Sequence, residues 1–295
     1  MSTVTVIGSS SIDFVVQAKK RPEMGETLLG DDFATLPGGK GANQAVAASR
    51  LGAKVYMIGC IGNDYFGQQI LNNFKKENVN VDHIKVLNDV SSGTAHITVV
   101  DEDNSIIVVQ GANVFVTPEI VKEAIKVIQN SEMVLIQQEI PEETVEYVSE
   151  VCKKENIPLI LNPAPARIVS EKVLSNATYL TPNEHEFSVL LKGLTREEAF
   201  NKFPNKLIIT EGEKGVRYYN GQEEVVVQTF KVDVVDTTGA GDTFNAAFAV
   251  AISEGKGLEE ALRFANRAAS LSVSKLGAQS GMPYRIEVER LLLEK

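Results

Sequence analysis

Met133-Val-Leu-Ile-Gln137, the stretch Pro141 to Glu155 and Pro158-Leu-Ile-Leu-Asn162 read together as strand, helix and strand. The outer runs are short, continuous and apolar, the pattern of strands buried on both faces. In the middle stretch Val145, Val148 and Val151 recur on one helical face. The unit repeats outward along the chain. Val4-Thr-Val-Ile-Gly8, Lys54-Val-Tyr-Met-Ile-Gly59 and Lys206-Leu-Ile-Ile-Thr210 are further strand candidates, with helical patterns between them. Repeated units of this kind predict a parallel sheet covered by helices, an α/β fold.

Two stretches break the rhythm. Thr27 to Leu36 looks extended, and Thr94–Val100 with Ser105–Val109 form the arms of a hairpin around Asp101-Glu-Asp-Asn104. Paired, they would make a small antiparallel sheet projecting from the α/β body; the alternative is that they are edge strands of the main sheet.

The chain has 295 residues, 43% hydrophobic and 23% charged, enough for a substantial core and unlike a disordered chain. Its 29 Lys+Arg against 39 Asp+Glu leave a net charge of −10, which argues against a nucleic-acid partner but not against a small anion in a local pocket. Cys60 and Cys152 are far apart and form no metal or disulfide motif, so a reducing cytoplasm is expected. The first residues lack a basic signal-peptide region, and no apolar run approaches the ~18 residues of a membrane span.

Val235-Asp-Thr-Thr-Gly-Ala-Gly-Asp-Thr-Phe-Asn245 precedes an apolar helical run, Ala246 to Ile252. Glycines before a helix leave its first N–H groups open to an anion. Asp242 then has two readings: a helix cap, or a general base beside an anion hole. The segment is neither a P-loop nor a dinucleotide fingerprint. In Leu36-Pro-Gly-Gly-Lys-Gly-Ala-Asn-Gln-Ala-Val-Ala-Ala48, glycines again precede a small-residue helix. A tight turn explains the glycines alone; Lys40 and Asn43 beside them suit a polyhydroxy ligand. His83, His96 and His185 are scattered and suggest no metal cluster.

These two segments resemble the ribokinase family of carbohydrate kinases. The resemblance runs over essentially the whole chain, through Asn162-Pro-Ala-Pro-Ala166, Thr181-Pro-Asn-Glu-His-Glu186, Thr210-Glu-Gly-Glu-Lys-Gly215 and Gly277-Ala-Gln279. It implies a doubly wound, mostly parallel sheet flanked by helices, in a single domain over residues 1–295. A small antiparallel β lid, with strands at about 27–36 and 94–109, would also make a homodimer interface. The implied activity is ATP-dependent phosphorylation of the ribose O5 hydroxyl. Asp242 becomes the base, and the backbone of Gly239, Ala240 and Gly241 the anion hole. Ser11, Asp13, Gly39, Lys40, Asn43, Glu139 and Asp242 would meet the sugar.

Nucleotide contacts would fall on Asn183, Thr210, Glu211, Gly212, Glu213, Lys214, Gly215, Gly241, Asp242 and Asn266. Asn183 and Glu186 would organise Mg²⁺ through waters, their other reading being a helix cap. Asp236, Thr238, Ser272, Lys275, Gly277 and Gly281 would hold K⁺, largely by carbonyls. Two positions depart from the family pattern: Gly281 stands where serine is common, and Ser11 where asparagine is. Ser11 leaves another furanose (2-deoxyribose, fructose) or a nucleoside open as substrate. The reading from a different class is a catalytically silent sugar- or nucleotide-binding module.

Overall fold

The computed structural model describes residues 1–101 and 103–293. Its strands are β1 (Thr3–Ile7), β2 (Ser11–Gln17), β3 (Asp32–Gly38), β4 (Lys54–Gly62), β5 (Val79–Leu87), β6 (Gly93–Val100) and β7 (Asp103–Val109). They continue with β8 (Met133–Ile136), β9 (Leu159–Leu161), β10 (Tyr179–Leu180), β11 (Ile208–Thr210), β12 (Val216–Tyr219) and β13 (Glu224–Val227).

The main sheet has the order β10-β9-β8-β1-β4-β5, and every adjacent pair in it is parallel. Its central strands are buried along their lengths: all four residues of β8, and Val4 to Ile7 of β1. Alternate side chains go to opposite faces. Val4, Val6, Val55, Met57 and Leu135 join one apolar cluster with the helices Lys40–Arg50, Ala240–Ser253 and Leu258–Ser272. Ile7, Ile58, Val134 and Ile136 join another with the helix Glu142–Glu155, which buries Val145, Val148 and Cys152. The sheet is therefore wound on both sides, as expected. Helix Ala240–Ser253 is buried from Asp242 to Ala251, with Ala246 to Ala251 fully buried. Ala42, Ala45 and Ala48 on helix Lys40–Arg50 line the same cluster, and their small size permits close approach. A hairpin sheet, β11-β12-β13, extends this sheet through bridges Leu180↔Leu207 and Asn183↔Thr210.

Strand order reverses between β1 and β8, and the carboxyl ends of strands at such a reversal form a natural crevice. The chain leaves β1 through Gly8-Ser-Ser10 and enters β2, part of a second sheet ordered β3-β2-β6-β7. In it β2 runs antiparallel to β3 and parallel to β6, while β6 and β7 form the expected hairpin. Glu102 of the hairpin turn lies outside the described residues. The first of the two stretches expected to form a lid is a strand from Asp32, rather than Thr27, to Gly38. Gly25 at φ +81 and Pro22 break the segment before it. All seven residues of β7 are exposed, Ile107 most among its apolar ones at 71%. Among the described residues no helix is long and apolar enough to cross a membrane.

Candidate active site

The crevice is built by backbone meeting backbone. Helix Lys40–Arg50 starts from Gly39, at φ +90, and lays its first turn over the β1–β2 connection. A Cβ on Gly41 would stand 2.7 Å from the Gly8 carbonyl carbon, and one on Gly39 2.8 Å from Ser10 Cα. At Gly38 a Cβ would fall 2.2 Å from an Asp13 carboxylate oxygen. Ala42 N donates to the Ser9 carbonyl at 2.8 Å across this crossing. The glycines are thus required by packing, which brings Gly38 against Asp13, the Lys40 amide to Glu139 and the Asn43 side chain to Asp242. Asn113 pins the start of the second sheet, accepting from Ser10 N at 2.9 Å and donating to Ser10 O at 3.0 Å.

Glu139 follows β8 on the other side of the crevice. Its Oε2 accepts from Ser9 Oγ at 2.5 Å and from Lys40 N at 3.0 Å. Helix Ala240–Ser253 completes the floor. Its cap residue is Gly239, at φ 80 and ψ 0, and no side chain caps it. Asp242 is therefore not a cap. It lies in the first turn, 6% exposed, and its Oδ2 accepts from Asn43 Nδ2 at 2.9 Å and its Oδ1 from Gln44 Nε2 at 3.1 Å. A Cβ on Gly241 would meet nothing within 4 Å, so open space lies over the helix N-terminus where N–H groups favour an anion.

The electrostatics follow from crowding acids around one cation. Burial raises Asp242 above the usual carboxylate range against the pull of Lys40 and its two amide donors. Asp13 rises to about 6, first by burial and then by Glu139 and Asp242, while the Ser11 hydroxyl, 3.1 Å from Oδ1, lowers it. Asp242, with help from Glu139 and Glu186, holds Lys40 charged despite its burial. Such a group of raised carboxylates beside one amine is suited to accepting a proton from a bound hydroxyl.

The other predicted residues fall into four places. Asn183 caps the helix Glu184–Leu190 with Glu186 in a reciprocal capping box. Burial raises Glu186, which also feels Lys40 and Asp242 and so faces the crevice. The cap reading holds for this pair without removing Glu186 from the site. Thr210 to Gly215 form a turn beside that helix: Thr210 N donates to Pro182 O at 2.9 Å, and Gly212, Glu213 and Lys214 are exposed. Glu211 is buried and committed to Arg217 at 2.9 Å and Arg196 at 3.5 Å, so its carboxylate is a strut of the turn. Asn266 is likewise engaged, donating to the carbonyls of Val227 at 2.8 Å and Gln228 at 3.2 Å.

Of the residues expected to hold K⁺, Asp236, Thr238 and Gly277 are hydrogen-bonded together, Gly281 packs on the Ser272 carbonyl, and Asp236 N donates to Val273 O at 3.1 Å between the two groups, while Lys275 is exposed in the bend before Gly277. Asp236 accepts from Thr238 N, Thr238 Oγ1 and Gly277 N at 2.9, 2.6 and 2.7 Å. Burial raises this carboxyl, and those hydrogen bonds outweigh it and keep it below its ordinary value. The glycine at 281 has a packing reason: a Cβ there would stand 1.9 Å from the Ser272 carbonyl oxygen.

Sequence reasoning assigned no role to Ser9, Gln44, Gln137, Asn162 or Gln279. Gln44 donates to Asn162 at 3.0 Å as well as to Asp242, and accepts from Gln137 at 2.6 Å. Gln279 donates to Asn43 at 3.0 Å and accepts from Asn73 at 2.8 Å. The available signal was an uncharged amide set among alanines at Gln44, a costly choice unless satisfied.

Residues 1–285 match the family model described as pfkB family carbohydrate kinase. A ribokinase of Bacillus subtilis is 58% identical over 292 residues, covering 99% of this chain and 100% of that protein. A ribokinase of Lactococcus lactis is 44% identical over 295 residues, covering 100% and 98%. A solved structure of Arabidopsis thaliana ribokinase complexed with ribose and ATP has a TM-score of 0.91 at 36% identity, covering 99% and 98% of the two chains. With the crevice between β1 and β8 built as described, and with these matches over nearly its full length, the chain belongs to the pfkB family of carbohydrate kinases.

Proposed function

We propose that the chain transfers the γ-phosphoryl group of ATP to the O5 hydroxyl of D-ribose, giving ribose 5-phosphate and ADP. The observation that carries this reading is the buried Asp242 carboxylate, in the first turn of a glycine-started helix and across the crevice from Asp13, Lys40 and Glu139. Relatives that act on ribose and ATP, aligned over the whole chain, support it.

Ser11, Asp13, Gly39, Lys40, Asn43 and Glu139 orient the sugar so that its primary hydroxyl faces Asp242. The carboxylate takes the hydroxyl proton as the O5–P bond forms. The bond between the γ-phosphorus and the bridging oxygen breaks, and ADP leaves with that electron pair. The N–H groups of Gly239 to Asp242 stabilise charge on the transferred oxygens; one such donor contributes ~10²–10³-fold and an oriented base ~10²–10⁴-fold. The open space above Gly241 fits a phosphoryl group. Asn183, Thr210 to Gly215 and Asn266 flank the nucleotide.

A divalent cation held through water near Asn183 and Glu186 supplies charge neutralisation when bound; Glu186, a raised carboxylate facing the crevice, fits that role. The anionic Asp236 and the Ser272 carbonyl exposed to Gly281 fit a monovalent cation, which would fix the loop beside the anion hole; Thr238, Lys275 and Gly277 complete the set. We take the chain as one α/β unit with the sheet β3-β2-β6-β7 as its lid. The exposed apolar β7 supports a homodimer through that sheet, working in the cytoplasm.

The test is ADP release with ribose, 2-deoxyribose, fructose and adenosine, each with and without K⁺. Turnover is expected with ribose and stimulation by K⁺. Turnover confined to the nucleoside would overturn the reading.

A further inference from the structure

Two side-chain amides meet the Asp242 carboxylate, and each has its acceptor end engaged by a further amide. Asn43 offers Nδ2 because its Oδ1 accepts from Gln279 Nε2 at 3.0 Å. Gln279 offers that nitrogen because its own Oε1 accepts from Asn73 Nδ2 at 2.8 Å. On the other carboxylate oxygen, Gln44 offers Nε2 because its Oε1 accepts from Gln137 at 2.6 Å. An amide has a donor end and an acceptor end, so turning one link sets carbonyl against carbonyl until the whole row turns.

The longer row reaches from buried Asp242 through helix Lys40–Arg50 and the loop after Gly277 to half-buried Asn73 on the helix Tyr65–Lys76. That loop is itself fixed. Arg50 donates to the carbonyls of Gln279 and Met282 at 2.6 and 2.9 Å, and pairs with buried Glu77 at 2.8 Å.

We infer that Asn73 and Gln279 are positioning residues for Asp242: the directed row Asn73→Gln279→Asn43 sets the rotation at which the carboxylate faces its substrate. The inference rests on Asp242 being the base. A base misaligned by a small rotation loses rate while the bound nucleotide is untouched, so the signature is a fall in kcat without a change in KM for ATP.

Asn73→Asp tests this in the full-length enzyme, because it keeps the shape and removes the donor. The new carboxylate only accepts. Gln279 then turns Nε2 outward, its Oε1 faces Asn43, and Asn43 turns its carbonyl toward Asp242. The expected result is a kcat lowered about tenfold, with KM for ATP within about twofold of wild type. Asn72→Asp adds the same charge at the adjacent exposed position, outside the row, and is expected to keep wild-type kcat. Gln279→Met cuts the row, and adding Asn73→Asp to it is expected to cost nothing more. A wild-type kcat in Asn73→Asp, an equal loss in Asn72→Asp, or additive losses would overturn the inference. Asp242→Asn separates the two claims. Full turnover in that variant removes the base itself, whereas lost turnover there beside a wild-type Asn73→Asp removes only the row.

Discussion

Asp242 is held between burial, which favours its protonated form, and Lys40 with two amide donors, which favour the anion. On the proposed reading, that balance suits the carboxylate to accept the proton of a bound hydroxyl. Asp242→Asn keeps the shape and loses the basicity; kcat is expected to fall at least ~10²-fold with KM for ATP nearly unchanged, measured by coupled ADP release. Asp13 carries the clearest pH signature, since its carboxyl rises from 3.8 to about 6. The folded protein binds that proton more tightly than the unfolded chain does. The stability it adds is therefore full below pH 4 and is lost as pH rises through about 6. Asp13→Asn removes the ionisation, so the variant is expected to gain on wild type by on the order of 2 kcal/mol between about pH 4 and pH 7 in denaturant titrations, while losing sugar affinity. No widening of that difference would refute the shift. At this scale the sequence displayed Asp242 and Asp13 through their motifs. It could not display Asn43 as a partner of Asp242, because 199 residues separate them.

The two glycine-rich helix starts differ in what surrounds them, one closed by packing and one open, and the glycines tell them apart. Gly41 has no room, its Cβ position lying 2.7 Å from the Gly8 and Ser9 backbone, whereas Gly241 faces open space. Gly41→Ala is expected to cost ~1–3 kcal/mol by forcing helix Lys40–Arg50 off β1, read as a lower denaturant midpoint. Gly241→Ala is expected to gain ~0.5–1 kcal/mol, the ordinary helical preference for alanine, yet to lower kcat at least tenfold by filling the anion space. A variant at Gly241 that was both stabilised and fully active would remove the anion hole from that turn. The sequence marked both glycine loops alike; only the neighbours they meet in space distinguish them. The same holds for strands. β8 and β9 were legible because both faces are apolar, while β2 was not among the strand candidates and is defined by its pairing with β3 and β6.

On the whole molecule, the sheet β3-β2-β6-β7 leaves the body directly from the end of β1, over the crevice, and shows solvent an edge strand with Ile106, Ile107, Val108 and Val109 all exposed. Such an edge is a template for another strand or sheet. Sedimentation is expected to give a dimer at micromolar concentration, and Ile107→Lys with Val109→Lys a monomer; a monomeric wild type would remove the lid interface. Arrangement at this scale was partly legible. Repeating apolar strands and amphipathic helices determined an α/β fold from sequence alone, since period and burial are local properties. The glycine loops likewise marked two helix starts where an anion or a polar ligand could bind, since a positive φ or an open N–H is a property of a few adjacent residues. Tertiary structure alone decided the strand order that reverses at β1 and β8, and so where the crevice opens. It alone decided which amides turn their nitrogens toward Asp242, because that depends on side chains from distant segments meeting where water cannot satisfy them.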